Sequence, residues 1–219
     1  MSKKILNHQV IKFNNKDSIM EVLANSFEIG KVQIHIHKYD ESKKKGERIT
    51  QELDVFVNIE DMLVLCQDIL SGNIIKSIKK LKDAGKNYDA VWIDMGGVSA
   101  KKLEEREKYL LSQGKKLEDL KAHQKQRADK KSLSRVFKIV PSTRDDMAFT
   151  FQFESGMGEE NETGLIVPKY GTKPEVRLMM AVNAKQAKAF ALMIQTHIKA
   201  FINSKYTRME DEKYFISVK

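Results

Sequence analysis

A single cysteine stands among the 219 residues of this chain. One thiol, Cys66, excludes a disulfide framework and a cysteine-based zinc site within one copy. Its place on an apolar helical stripe marks it as a buried structural thiol rather than a reactive one. There is no run of about 18 apolar residues and no N-terminal apolar segment of the signal type, so a soluble, intracellular and cytoplasmic protein with no membrane partner is expected. Catalytic signatures are missing too: no phosphate loop, nucleophile elbow or metal-hydrolase motif occurs. Glu159, Glu160 and Glu162 read as a solvated turn, since scattered carboxylates do not make an acid/base pair without geometry. His35 and His37 stand at i and i+2 on one strand face, yet no third ligand lies near them in sequence. The chain is therefore expected to be no enzyme and to carry no metal or cofactor.

What the chain does have is 41% hydrophobic content, enough for a real core, and a formal charge of +9, which suits a polyanion such as nucleic acid. Residues 30–70 organise it. Val32, Ile34 and Ile36 alternate with Gln33, His35, His37 and Tyr39, as a pleated strand requires. A basic loop with Lys43, Lys44 and Lys45 follows, then a second strand in which Leu53, Val55 and Val57 repeat the apolar alternation. Asn58 stands in a helix N-cap position, with Glu60 and Asp61 in the first turn. Ile59, Met62, Leu63, Cys66, Ile69 and Leu70 form a stripe that should cover the apolar strand face.

Before this stretch, Val10, Ile11 and Phe13 alternate as a short strand, and residues 18–28 fit a strand or a helix, with a strand expected because they lead through Gly30 into the next one. After it the helical pattern either continues or restarts after Gly72, and it stops near Gly85. Residues 89–95 alternate again, with Trp92 and Asp94 opposite Val91, Ile93 and Met95, and Gly96 and Gly97 are expected to end that strand. Residues 100–131 are a dense Lys, Glu, Arg and Gln mixture, expected as a solvated insertion outside the core. Strand character resumes at Arg135. Phe149, Phe151 and Phe153 then share one core face, and Gly156 and Gly158 read as part of an acidic turn. A short strand at 165–167 precedes a strand at 175–182. Asn183 stands before a long helix, and residues from 206 read as a tail with an apolar patch at Tyr214, Phe215 and Ile216.

Asn58 and Asn183 lie 125 residues apart, each after an alternating strand and before an amphipathic helix. Such spacing is too long for a solenoid and describes a pseudo-twofold chain. The predicted fold class is α+β: two pseudo-repeated units of about four antiparallel strands plus one helix, with curved sheets and helices on one side. The first unit spans 1–88, the second 89–205 with the charged insertion, and the tail 206–219.

Gly30, Lys31 and Val32, the alternation through Ile36, Lys38 with Tyr39, and Gly46, Arg48 and Asn58 resemble the positive cofactor family of transcriptional coactivators. Two such units in one chain resemble the plant Whirly proteins, and similar single-strand-binding proteins occur in phages and conjugative elements. The Lys-Gly-Lys-Ala-Ala-Leu motif of Whirly proteins is absent, and the charged insertion belongs to neither pattern. The resemblance implies a curved antiparallel sheet that binds single-stranded DNA on the face away from the helices.

The residue chemistry suits that expectation. Gln33, His35, His37, Tyr39, Phe56, Trp92 and Gln152 are candidates to stack on or hydrogen-bond unpaired bases, while Lys31, Lys44, Lys45, Arg48, Lys173 and Arg177 are candidates to meet phosphates. Trp92 has the alternative of packing under the insertion. Single-stranded DNA is the expected partner, bound with little sequence preference in replication, recombination or transfer. RNA binding, transcriptional regulation on the same fold, a homo-oligomer, and a scaffold that docks a protein through its C-terminal tail are the alternatives.

Overall fold

Pleating decides the first sheet. In β3 (Lys31–Tyr39) Val32, Ile34 and Ile36 are fully buried, and in β4 (Ile49–Asn58) Val57, Val55 and Leu53 stand opposite them in antiparallel register. β1 (Gln9–Asn14) and β2 (Ser18–Leu23) complete a four-stranded meander, with Met20 and Val22 opposite Ile36 and Ile34. One sheet face is thus continuously apolar. α1 (Ile59–Leu70) leaves β4 directly and lays Met62, Leu65, Cys66 and Ile69 into the same core. Burial pushes the Cys66 thiol up to about 12, which fits a structural side chain and not a nucleophile. α2 (Asn73–Asp83) restarts after Gly72, which takes a φ of 79° to turn the chain. This computed structural model describes residues 8–217 except 45 and 121–124, with side chains to 207.

The second sheet repeats the plan and adds a strand. β5 (Trp92–Val98), β6 (Ser132–Val140), β7 (Phe149–Glu160) and β9 (Val176–Val182) pair antiparallel in that order, and β8 (Ile166–Pro168) pairs with the far end of β7. Phe137 of β6 stacks on Phe153 with centroids 4.9 Å apart, and Phe149, Phe151 and Phe153 are fully buried. α4 (Ala184–Ser217) then begins with a reciprocal cap. Asn183 Oδ1 accepts from the Gln186 N–H, and Gln186 Oε1 accepts from the Asn183 N–H.

The protein is therefore α+β, with antiparallel sheets of four and five strands that fit two strand-helix units. The units share one core. α4 packs on α1 and reaches β1 of the first sheet, while Phe190 meets Phe151 of the second at 4.7 Å. Among the described residues no helix is long and apolar enough to cross a membrane.

Several local expectations need correction. Gly96 and Gly97 lie inside β5 and do not end it, and Gly156 and Gly158 lie inside β7 rather than in a turn. Two of these glycines serve close approach, because a Cβ on Gly97 would stand 2.2 Å from the Leu133 carbonyl oxygen, and one on Gly158 2.8 Å from Ile166 Cγ2. Ile166 of β8 thereby sits down on both strands. The charged insertion is partly core: α3 (Ala100–Ser112) buries Leu103, and Leu120 is buried after it. Helical backbone also continues past residue 206 to Ser217, so the start assigned to the tail falls within α4; the side chains of Tyr214, Phe215 and Ile216 lie outside the described residues.

A pair of alanine substitutions tests the glycine argument. Gly97→Ala is expected to destabilise the protein by about 1–3 kcal/mol through overpacking. Gly96→Ala, whose added Cβ meets nothing within 4 Å, should cost well below that, and urea unfolding of the two variants beside the parent makes the comparison.

Candidate functional site

The face of the first sheet turned away from α1 is polar. Antiparallel register sets Gln33 opposite Phe56, His35 between Glu21 and Asp54, and His37 opposite Glu52. These groups are joined: Gln33 Nε2 donates to Asp54 Oδ1 at 2.9 Å, His35 Nδ1 lies 3.0 Å from the same oxygen, and His37 Nδ1 lies 3.2 Å from His35 Nε2. Burial, then the neighbouring His35, lowers the His37 pKa from the ordinary 6.5, which favours its neutral form. Tyr39 follows on the same strand face, its hydroxyl donating to the Asn15 carbonyl.

At the end of this row lies the hairpin, where Lys43, Lys44 and Arg48 are exposed. Arg48 Nε donates to the Lys43 carbonyl at 3.1 Å, which steadies the tip. The face itself is not strongly basic. Lys12 pairs with Glu21 at 3.7 Å, and Glu52 and Asp54 add negative charge. Positive charge gathers instead on the hairpin and on α2, where Lys76, Lys79 and Lys80 are exposed around the buried Ile74 and Ile78.

At the β4 edge the two sheets meet. Arg135 belongs to the inward register of β6, with Phe137 and Ile139, and its guanidinium stands 5.6 Å from the centre of the Phe56 ring. Such a contact is worth about 0.5–2 kcal/mol. Burial lowers the pKa of Arg135 and the Asp54 charge opposes that shift, with the side chain remaining charged at neutral pH. Two clefts flank this bridge. One, of about 470 Å³, is lined by Glu52, Asp54, Arg127 and Arg135. The other, of about 540 Å³, is lined by Lys31, Phe56, Asn58, Asp94, Lys102 and Arg135. Asn58 holds the N-cap position of α1 without capping it: its Oδ1 accepts from Lys31 and its Nδ2 donates to Asp61. Arg127 forks onto Asp129 and Glu175, tying the insertion to the start of β9.

The expected contact residues therefore fall into separate groups. Lys31, Gln33, His35, His37, Tyr39 and Phe56 share the first sheet's polar face, with Lys44 and Arg48 at its end; Phe56 has one ring face occupied by Arg135. Lys45 lies outside the described residues. Gln152 and Arg177 stand on the opposite register of the second sheet from Arg135, so they do not join that face. Both are engaged by the buried Glu154, to which Lys138 also donates. Burial by itself would raise the Glu154 pKa; Lys138 and Arg177 outweigh it and hold the group below its usual value. Lys173 is exposed in the loop that crosses Gly156. Trp92 does not face outward with the other rings: its register turns it inward, where it meets the Phe137 ring edge-on at 5.2 Å. Ile93 and Met95 are exposed residues of β5 instead.

Sequence reasoning overlooked Arg135, Asp94 and Lys102. Arg135 carried a signal, being a charge at an inward position of an alternating strand; Lys102 carried none. Tyr88 and Tyr170, 89% and 94% exposed, were also overlooked. Among the described residues no group of three His, Cys, Asp or Glu side chains is placed to hold a metal ion.

No protein-family model matches this chain, and a search of curated proteins finds no match. Among solved structures it is similar to one titled "Structure of the plant transcriptional regulator PBF-2", at a TM-score of 0.42 and 7% identity, with 90% of this chain and 84% of that chain covered. A likeness of that size carries no argument about function.

Burial, then the charge of Asp61, raises the Asp94 pKa from 3.8 to about 6 against a smaller opposing effect of Lys31. A carboxyl raised in the folded state costs stability as pH climbs from about 4 to about 6, and the cost stays constant above that. Asp94→Asn should therefore stabilise the protein at pH 7 by about 1–2 kcal/mol after solvent screening is allowed for. The gain should fade as pH drops through this window in chemical denaturation at stepped pH; a gain independent of pH would contradict the assignment.

Proposed function

We propose that this chain binds single-stranded nucleic acid, DNA in the first instance, across the polar face of the first sheet. The observation that supports this reading is the gathering of Gln33, His35, His37 and Tyr39 on a strand face away from the core, beside an exposed hairpin carrying Lys43, Lys44 and Arg48. Flat and hydrogen-bonding side chains suit unpaired bases, whereas bases stacked and paired within a duplex are not free to meet them. The hairpin cations capture phosphates and bring the strand to the sheet, where contacts with bases hold it. Binding is then tolerant of sequence, and its use is to coat or protect unpaired DNA during replication, recombination or transfer. The role is one of binding and not of catalysis.

Fluorescence anisotropy with a labelled single-stranded oligonucleotide, beside a duplex and an RNA of the same sequence, tests the proposal at several salt concentrations. The expected result is preference for single-stranded DNA, with log affinity falling linearly against log salt at about −0.7 per phosphate neutralised. Replacing His37 and Tyr39 together by alanine should weaken binding about tenfold or more without unfolding the protein, because stacking contributes about 1–3 kcal/mol per base. Lys44→Ala with Arg48→Ala should flatten the salt dependence, by about 0.7 in slope for each phosphate that the variant leaves without a cation. Equal affinity for duplex, or an unchanged double variant of His37 and Tyr39, would refute the assigned face; a stronger grip on RNA would move the substrate to RNA.

A further inference from the structure

Among the described residues two arginines are half-buried, Arg127 and Arg135. Arg127 spends its fork on Asp129 and Glu175. Arg135 does not: among the described residues it donates no hydrogen bond and closes no ion pair, and what answers it is the Phe56 ring and the charge of Asp54 acting through space. Those two offset the burial of its charge and leave its five N–H donors unspent. Among the described residues no buried side-chain nitrogen lacks a partner, so the unbonded guanidinium nitrogens reach the clefts that Arg135 lines. A planar fork of donors matches the oxygens of a phosphate or a carboxylate.

The two clefts differ in charge. Around the first, Glu52, Asp54, Asp129 and Glu175 outnumber the cations, and Arg127 is already committed. The second brings Lys31 and Lys102 to Arg135 against Asp94 and Glu160. Lys102 is exposed in the first turn of α3, which carries no acidic residue, and it closes no ion pair among the described residues. We infer that this second cleft seats a phosphate group between Arg135 and Lys102. Its position suits a bound strand. Gln33 pairs with Phe56, and both Phe56 and Lys31 line the cleft, so the polar row of β3 leads into it. The hairpin cations stand at the other end of the row, beyond Tyr39. The nine-residue length of β3 sets these two ends about 26 Å apart. A strand is thereby held by phosphates at both ends of the row, while its bases meet the side chains between them. The inference rests on the single-strand reading above and adds a second phosphate anchor to it.

The test is anisotropy with the full chain and a labelled oligo-dT strand at several salt concentrations, beside thermal melts with and without thymidine monophosphate as a free phosphate ester. Arg135→Gln with Lys102→Ala should weaken strand binding about tenfold, as loss of a charge-assisted hydrogen bond does, and flatten the log–log salt slope by about 0.7 for the one phosphate left without a cation. Lys102→Ala alone, at an exposed position, should weaken binding partway. Arg135→Lys with Lys102→Ala should restore the slope but only part of the affinity, because the charge returns without the fork. Asp94→Asn, which removes a competing carboxylate from the cleft wall, should tighten binding at pH 8, about two units above the Asp94 pKa of about 6. The melts also establish that each variant is folded. Unchanged strand affinity in the double variant, with no effect of the nucleotide on the parent's melting temperature, would overturn the inference and leave the single-strand reading standing. Weaker binding at an unchanged slope would overturn it as well, by making Arg135 a structural residue. A nucleotide-induced rise in melting temperature that the double variant loses, without any change in strand binding, would keep the phosphate site and assign it to a free nucleotide. No strand binding and no nucleotide effect would remove both readings together.

Discussion

One apolar core, built jointly by both sheets with α1 and α4, is the constraint on which the rest of the structure depends. Each sheet turns an apolar face to this core, and α1 and α4 both contribute side chains to it. α4, which follows the second sheet, packs on α1 and reaches β1, while its Phe190 fills the aromatic cluster of Phe137, Phe151 and Phe153. Removing that apolar surface from water is the dominant favourable contribution to folding, at about 25 cal/mol per Å². Because strand side chains alternate, each residue committed to this core sends its neighbour to the opposite face, and the row of Gln33, His35, His37 and Tyr39 is the consequence.

Where the two sheets meet, a charge had to be accommodated. Arg135 occupies an inward, half-buried position of β6, and a guanidinium withdrawn from water is costly unless something compensates it. The Phe56 ring below it and the negative charge of Asp54 nearby supply that compensation. The same carboxylate accepts from Gln33 and His35, so the junction of the sheets and the polar face of the first sheet share one anion. Asp54 therefore links the fold to the candidate site, accepting from Gln33 and standing 3.0 Å from His35 Nδ1. The second sheet uses the same device on its other face, where Glu154 gathers Gln152, Lys138 and Arg177. There the cations are consumed internally.

Much of this is legible in the chain. Alternation through β3, β4, β7 and β9 declares both the strands and their buried faces, and the paired Asn-helix boundaries at Asn58 and Asn183 declare the repeat. Glycine misleads because it has two meanings. Gly97 looks like a strand ending and Gly158 like part of a turn in sequence, yet they are places where Ile166 comes too close for a side chain. Trp92 misleads because alternation separates two faces without saying which is inward, and apolar Ile93 and Met95 make the wrong face look like the core. Leu103 and Leu120 are hidden by the charged residues around them.

The sequence by itself determined the fold class, the two strand-helix units, the burial of Cys66 and the polar row on β3, because all of these follow from local periodicity. Only the tertiary structure decided which candidates act together. It joined Arg135 to Phe56 across the two sheets, turned Trp92 inward, tied Gln152 and Arg177 to Glu154, and diverted Asn58 from its helix to Lys31. Each of these depends on how the chain brings separate strands and loops together. Periodicity records which way a side chain points and carries no information about what it will meet.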